Sequence, residues 1–219
     1  MELIGIPHPG PDNLNAAPTE DIVVLRMGKS GEPELVTMRW WLTPYWAKEM
    51  SSRYAMFNAK SETAHKSPAF REPFRRRRCV VPVSGFYEWA RANNQRLPYL
   101  FRPHETRGLL LAGLWDRWRN PDTGERHESF TVLTTDAAEA IRFVHDRQPV
   151  ILSQEDALRW MSPDASDAEL KGMLGASVPE ALDLIPVTSY VNNARHKDAR
   201  CVEPIGEPIA VAATVGGPQ

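Results

Sequence analysis

The chain has 219 residues, of which 42% are hydrophobic and 25% are charged, and its formal net charge is −2. A chain of this length can bury one complete core, so we expect a single domain over residues 1–219. No apolar run reaches the roughly 18 residues of a membrane-spanning helix, and the first residues, MELIGIPHPGP, lack the basic segment of a secretory signal. We therefore expect a cytoplasmic protein without a membrane partner.

Segments rich in β-branched and aromatic residues recur between turn signals, a pattern that is typical of strands. In chain order, the predicted strands cover residues 22–25, 35–42, 79–89, 98–101, 108–115, 129–134 and 150–152. Residues 1–12 are expected to form an irregular lead, and residues 207–219 a frayed tail.

Helix-like stretches follow residues that commonly cap helix N-termini. They cover 137–144 after Asp136, 154–161 after Ser153 and 167–174 after Ser166. Ser153, with Asp156 three residues later, is close to a capping box. Because strands and helices do not alternate regularly, the sequence predicts an α+β domain, with a largely antiparallel, barrel-like sheet flanked by helices.

The two cysteines, Cys79 and Cys201, are far apart and have no CxxC companion. This spacing argues against a zinc ribbon or a disulfide framework and predicts two free thiols. We expect neither a metal nor an organic cofactor.

A basic run, FREPFRRRR, occupies residues 70–78 and contains five arginines. Although the net charge is slightly negative, clustered arginines can bind a phosphate backbone in bidentate fashion. Aromatic residues crowd the same part of the chain, and aromatic faces interleaved with cations suit the unstacked bases of single strands. The alternatives are that the run is a solvated face and that the rings belong to the core.

Polar residues interrupt three segments that are otherwise apolar. In GFYEW, alternation along a strand places Glu88 on the face opposite Tyr87 and Trp89, where burial would raise its pKa and make it a general acid. His145, in VHDRQPVIL, can exchange protons near neutral pH. Asn58, in FNAKSET, offers an amide. Each has a structural alternative: Glu88 in a salt bridge with the basic run, His145 as a helix cap, and Asn58 in a turn.

The order of these segments adds information that no single segment carries. LNAAPTEDIVVLR, MRWWLTPYWAKE, FNAKSET, RCVVPVSGFYEW, FTVLTTDA, VHDRQPVIL and PVTSYVNN follow one another along residues 13–204. Together they resemble the SRAP family, the SOS response-associated peptidases. GFYEW and HDRQP are specific when they occur together.

The resemblance implies one α+β domain that senses abasic sites in single-stranded DNA, the expected partner, and a monomer is favoured. Family members begin Met-Cys-Gly-Arg, and removal of the methionine frees an amine and a thiol on one residue. The amine condenses with the aldehyde of an open abasic sugar, and the thiol then closes a thiazolidine ring, which is covalent capture by a nucleophile. The family name reflects self-removal of the methionine.

The resemblance also implies roles for individual residues. Asn58 matches the asparagine that places the N-terminal residue and the sugar, Glu88 the glutamate of proton transfer, and His145 the histidine that assists ring opening. Lys60 stands where the family usually has arginine. The residues expected to contact DNA are Lys60, Trp46, Trp89, Thr134 and Arg147, with Arg75 and Arg77 of the basic run.

Two positions depart from the family pattern. Trp41 stands where glycine is common, and residue 2 is Glu2 rather than cysteine. Cys79 and Cys201 carry no free α-amine and cannot substitute. Two hypotheses follow: either the true start lies upstream and supplies the cysteine, or the chain is a DNA-binding shell that does not cross-link. A non-catalytic single-strand binding module and a self-processing peptidase are the alternative functions, the latter without a Ser-His-Asp or HExxH pattern.

Overall fold

The computed structural model describes residues 13–51, 53–92, 95–106 and 108–214. The predicted irregular lead, residues 1–12, lies outside this description. The strands are β1 (Asp21–Met27), β2 (Pro33–Trp40), β3 (Asn58–Lys60), β4 (Arg78–Val83), β5 (Phe86–Ala92), β6 (Gln95–Pro103), β7 (Leu109–Arg119), β8 (Arg126–Asp136), β9 (Arg147–Pro149), β10 (Ile151–Leu152), β11 (Leu182–Pro186) and β12 (Ile209–Val211). The helices are α1 (Ser61–Ala64), α2 (Arg71–Arg76), α3 (Gln154–Met161) and α4 (Asp167–Gly172), and 3-10 turns cover Glu139–Ile141, Ser189–Asn192 and Ala199–Val202.

Five strands close into a barrel in the order β7, β4, β1, β2, β8 and back to β7. All neighbouring pairs are antiparallel except β2 with β8, which are parallel. Their apolar side chains alternate between two sides of the sheet. One side, with Val24, Val81 and Phe130, packs toward the second sheet, and the other, with Leu25, Val80 and Leu133, packs toward the helices. The predicted α+β fold with a barrel-like sheet is confirmed.

Short strands extend the barrel beside the C-terminal half of β8. β3 runs parallel to β8 and places Lys60 opposite Thr134. β9 is antiparallel to β8 and places Arg147 opposite Asp136. The FNAKSET and HDRQP segments, far apart in sequence, therefore lie on either side of one strand.

The second sheet is antiparallel and has the order β12, β11, β6, β5. Its edge strand β12 shows that part of the predicted frayed tail, 207–219, is ordered, because Val211 pairs with Leu182 and is only 6% exposed. Residues 215–219 of that prediction lie outside the described residues. Thr214 also bridges Val178 through backbone hydrogen bonds. Burial of these apolar side chains orders a segment whose composition resembles a tail.

The predicted continuous strand 79–89 is two strands in different sheets, β4 and β5. The chain turns at Gly85, where a Cβ atom would lie 2.5 Å from the carbonyl oxygen of Phe101. Only glycine permits so close a backbone approach. The turn carries GFYEW out of the barrel and into the second sheet.

Two of the three predicted helices are confirmed. The side-chain oxygen of Ser153 accepts from the backbone N–H of Asp156 at the start of α3, and Ser166 and Glu169 form a full capping box at α4. The predicted helix 137–144 is wrong, because only the 3-10 turn Glu139–Ile141 forms. The backbone N–H groups of Ala137 and Ala138 are bonded to the Asp146 carbonyl and the Gln148 side chain, so the segment continues the pairing beside β8.

Cys79 and Cys201 are free, as predicted, and both are buried. Burial raises the pKa of both thiols, which makes them poor nucleophiles. Within the described ranges, no helix is long and apolar enough to cross a membrane.

Candidate functional site

Glu88 occupies the middle of β5, directly opposite Tyr99 of β6. Its neighbours turn to the other face: the Tyr87 hydroxyl donates to the Leu14 carbonyl at 2.7 Å, and Trp89 Nε1 donates to Oδ1 of Asn192 at 2.7 Å. The alternation predicted from the sequence is therefore present. Glu88 therefore lies on the buried face of the second sheet.

Burial raises the pKa of Glu88 from 4.5 to about 7. The charge of His145 opposes this shift, and that of Asp146 adds to it. A carboxyl with such a pKa is present in both protonation states near neutral pH, so it can give or take a proton. The HDRQP segment therefore lies within electrostatic reach of Glu88.

The imidazole of His145 is held by its own loop. Nδ1 lies 3.0 Å from the backbone N–H of Arg147 and 3.1 Å from the Arg147 carbonyl oxygen, so it has a backbone partner in either tautomer of the neutral ring. Oδ1 of Asp146 lies 3.3 Å from the same nitrogen and becomes its partner when the ring is charged. Nε2 is thus the nitrogen available for proton exchange with a ligand.

Arg147 links three elements around β8. Its guanidinium donates to both carboxylate oxygens of Glu62, at 2.6 and 3.0 Å, and to Asp136 at 2.7 Å. It also donates to the carbonyl oxygen of Thr134 at 2.6 Å and to its hydroxyl at 3.3 Å. Burial alone would lower the pKa of Arg147, but the two carboxylates raise it, and Arg147 in turn lowers the pKa of Glu62. Both terminal nitrogens are therefore engaged inside the protein.

Asn58 and Lys60 expose their side chains on β3, beside this network. Trp41 forms part of the same wall, since its ring lies 5.1 Å from that of Phe57, the residue before Asn58. The structure thus gathers Asn58, Lys60, Thr134 and Arg147 at one end of β8. It also places His145 within electrostatic reach of Glu88 on β5.

The loop that carries Trp46 is fixed by a buried carboxylate. Asp116 is 1% exposed, and its Oδ2 accepts from the backbone N–H of Tyr45 at 3.0 Å. Arg77 approaches its Oδ1 at 3.1 Å. Burial raises the pKa of Asp116, while these partners favour its charged form. Trp46 itself is 53% exposed and donates to the Pro68 carbonyl at 3.3 Å.

The basic run does not form one surface. Arg75 is exposed, whereas the Arg77 side chain is engaged by Asp116. Arg78 is buried and donates to the carbonyls of Phe74, Arg75, Trp160 and Ser162. Burial lowers the pKa of Arg78. Arg75 thus faces solvent, Arg77 forms an ion pair, and Arg78 binds carbonyl groups at the ends of α2 and α3.

Sequence reasoning missed Asp136 and Asp116 as site residues and read Asp136 as a helix cap. A polar residue at the end of a long apolar strand was the available signal for Asp136. Asp116 interrupts LLLAGLWDRW in the same way. Within the ranges that the structure describes, no three His, Cys, Asp or Glu side chains converge as metal ligands.

Comparison with known proteins bears on this geometry. The profile of the family described as SOS response associated peptidase (SRAP) matches residues 7–194. The chain belongs to the SRAP family. This match confirms the family predicted from the sequence, and it spans all of the segments that build the site.

Individual relatives agree with the family match. The chain is 31% identical to the abasic site processing protein YoqW of Bacillus subtilis over 198 residues. These aligned residues make up 90% of this chain and 86% of that protein. It is 34% identical to the abasic site processing protein HMCES of Xenopus tropicalis, over 80% of the chain and 59% of that longer protein. A crystal structure of a Bacteroides thetaiotaomicron protein matches with a TM-score of 0.75 and 27% identity, over 85% of this chain and 82% of that one.

Proposed function

We propose that this SRAP domain binds single-stranded DNA at abasic sites and handles the exposed sugar with Glu88 and His145. The observation that carries the proposal is the Glu88 pKa of about 7 beside His145. The names of two relatives also support the proposal, since YoqW and HMCES are both named abasic site processing proteins.

The chemistry of an abasic sugar fits these two groups. The closed sugar opens to an aldehyde when a proton leaves its anomeric hydroxyl and a proton reaches its ring oxygen. A carboxyl that exchanges protons near neutral pH, together with an imidazole that can donate or accept a hydrogen bond, can serve both transfers. Asn58 provides an amide that can donate and accept at the sugar.

The cationic side chains near the site differ in whether they are free to contact DNA phosphates. Lys60 and Arg75 expose their side chains, so we assign them the phosphate contacts. Trp46 offers an exposed ring for a base, and Trp89 is fixed by Asn192 at another edge. Arg147 and Arg77 are engaged by carboxylates, and we propose that they shape the surface from within. Thr134 holds Arg147.

Covalent capture requires one further component. A free amine and a thiol on one N-terminal residue would form an imine with the aldehyde, releasing water, and then a thiazolidine. In imine formation Glu88 gives a proton to the hydroxyl that leaves the carbinolamine as water; the thiol sulfur then bonds to the imine carbon, and the thiol proton ends on the ring nitrogen. We propose that an SRAP chain with a Met-Cys start performs this reaction on the site described above.

Lesion preference tests the binding part of the proposal with this chain alone. Fluorescence anisotropy would compare a single-stranded oligonucleotide containing one tetrahydrofuran abasic analogue with the same oligonucleotide intact, at one salt concentration. We expect tighter binding to the lesion, and Asn58→Ala should remove that preference. Gln154→Ala, an exposed amide on α3, is the matched control. Equal affinity of the unaltered chain for both oligonucleotides would exclude the proposed function.

A further inference from the structure

Phe143 is an exposed aromatic residue beside the proposed site. Its side chain is 54% exposed, and it precedes His145 by two residues. The ring meets that of Tyr99 edge to face, with centroids 6.2 Å apart and planes at 87°. About half of Phe143 is therefore open to solvent, while its contact with Tyr99 supports the ring.

Tyr99 ties this ring to Glu88. Tyr99 and Glu88 are directly opposite in the β5–β6 pair. Side chains opposite each other in antiparallel strands share a face of the sheet, with Cβ atoms about 4.5–5.5 Å apart. Glu88, Tyr99 and Phe143 consequently follow one another in space, and His145 lies within electrostatic reach of Glu88.

The backbone under Phe143 is anchored. Ile141 and Val144 on either side are 2% and 4% exposed, and both belong to the barrel core. Arg142 donates to the Ala137 carbonyl at 3.0 Å. The ring is thus presented outward on a fixed turn, so a partner that covers it orders little additional structure.

An abasic site creates a ligand for such a ring. The lesion nucleotide has no base, so each flanking base of the strand has lost a stacking neighbour and exposes a π face at the lesion. Stacking on an aromatic side chain stabilises a base in single-stranded DNA by about 1–3 kcal/mol. We propose that Phe143 is a stacking platform for the base next to the abasic sugar. This inference rests on the proposed function and makes Phe143 a specificity residue of that site.

The test varies the ring and the flanking bases independently. Anisotropy titrations of the full chain and of Phe143→Ala would use two single-stranded oligonucleotides with a central tetrahydrofuran. One has adenines on both sides, and the other has tetrahydrofuran there as well. We expect Phe143→Ala to weaken binding to the adenine-flanked strand about 5- to 150-fold, the range that stacking energies imply, and to leave binding to the other strand unchanged.

Two further variants test whether any loss of exposed apolar surface, rather than loss of the aromatic ring, weakens binding. Phe143→Tyr keeps the π face and should bind like the unaltered chain. Leu158→Ala removes a 44% exposed side chain from α3 and should change neither titration. Equal losses on both oligonucleotides with Phe143→Ala, or no loss on either, overturn the stacking platform. Equal affinity of the unaltered chain for lesion and intact strands overturns the proposed function instead, and the platform with it.

Discussion

The backbone N–H of Arg147 donates to Nδ1 of His145, while the Arg147 side chain is clamped by Glu62. Arg147 therefore contacts Nδ1 of the candidate catalytic histidine through its backbone and joins β9 to α1 through its side chain. We infer that the carboxylate on α1 acts on the histidine through Arg147, which would make Glu62 a positioning residue.

Glu62→Gln should disturb His145 with little effect on stability. The substitution removes a charge from the Arg147 clamp but leaves Asp136, so the loss should be about 0.5–1 kcal/mol of unfolding free energy for a partly exposed pair. Binding to abasic single strands should weaken, and the imidazole signals of His145 should shift in NMR spectra. Glu169→Gln also breaks an ion pair with arginine at similar exposure, and should leave both readouts unchanged. An unaltered His145 spectrum in Glu62→Gln would refute the positioning role.

Glu88→Gln should stabilise the protein progressively as pH rises. The folded-state pKa is about 7 against 4.5 for the free carboxyl, so between these values the folded state binds a proton that the unfolded state has lost. Unfolding free energy of the unaltered protein therefore falls as pH rises through this window, by about 3 kcal/mol at most. Glutamine does not ionise, so Glu88→Gln does not lose unfolding free energy in this way as the pH rises.

Urea unfolding of the parent protein and of Glu88→Gln, at about pH 4.5, 6 and 8, measures this difference across the window between the two pKa values. The gain from the substitution should be smallest at the lowest pH and largest at the highest. A gain independent of pH would show that Glu88 is an ordinary ionised carboxylate.

Substitutions of Arg77 and Arg75, two arginines of the basic run, should differ in how much unfolding free energy they cost. Arg77→Met leaves the buried Asp116 charge without its ion-pair partner and should cost about 3 kcal/mol of unfolding free energy. Arg75→Met removes an exposed cation 4.0 Å from Glu72 and should cost less than about 0.5 kcal/mol. Thermal or urea unfolding of the two variants checks this ranking, and equal losses would contradict the division of the run.

Lys60→Ala should weaken binding to single-stranded DNA through lost phosphate contact. Because single strands release about 0.7 counterion per neutralised phosphate, the slope of log affinity against log salt should fall by about 0.7. The loss should be similar for lesion and intact strands, since a phosphate carries no base information. Lys29→Ala, in the β1–β2 hairpin, is the control and should retain the parent slope. An unchanged slope in Lys60→Ala would remove Lys60 from the interface.

Local patterns predicted those parts of the fold that local chemistry decides. Ser153 and Ser166 mark helices because a cap is a local hydrogen bond, and the alternation around Glu88 holds because side chains alternate along any strand. The split at Gly85 was not predictable from propensity, since it depends on the Phe101 carbonyl of another strand. Residues 137–144 have helical composition, but their N–H groups are taken by partners near Gln148.

The candidate site shows the same limit. Resemblance supplied Asn58, Glu88 and His145, but the partners of Arg147 arise only where β3, β8 and β9 meet. The different environments of Arg75, Arg77 and Arg78 are likewise set by tertiary contacts, which identical letters in a run do not reveal.

Covalent capture tests the central claim most directly. The chain would be joined to an N-terminal segment beginning Met-Cys-Gly-Arg and incubated with single-stranded DNA carrying a natural abasic site. We predict a heat-stable protein–DNA cross-link whose formation slows in Glu88→Gln and in His145→Ala, and which is absent when the added cysteine is serine. No cross-link from the folded cysteine-bearing protein, or one formed equally fast without Glu88 and His145, would contradict this account of the site.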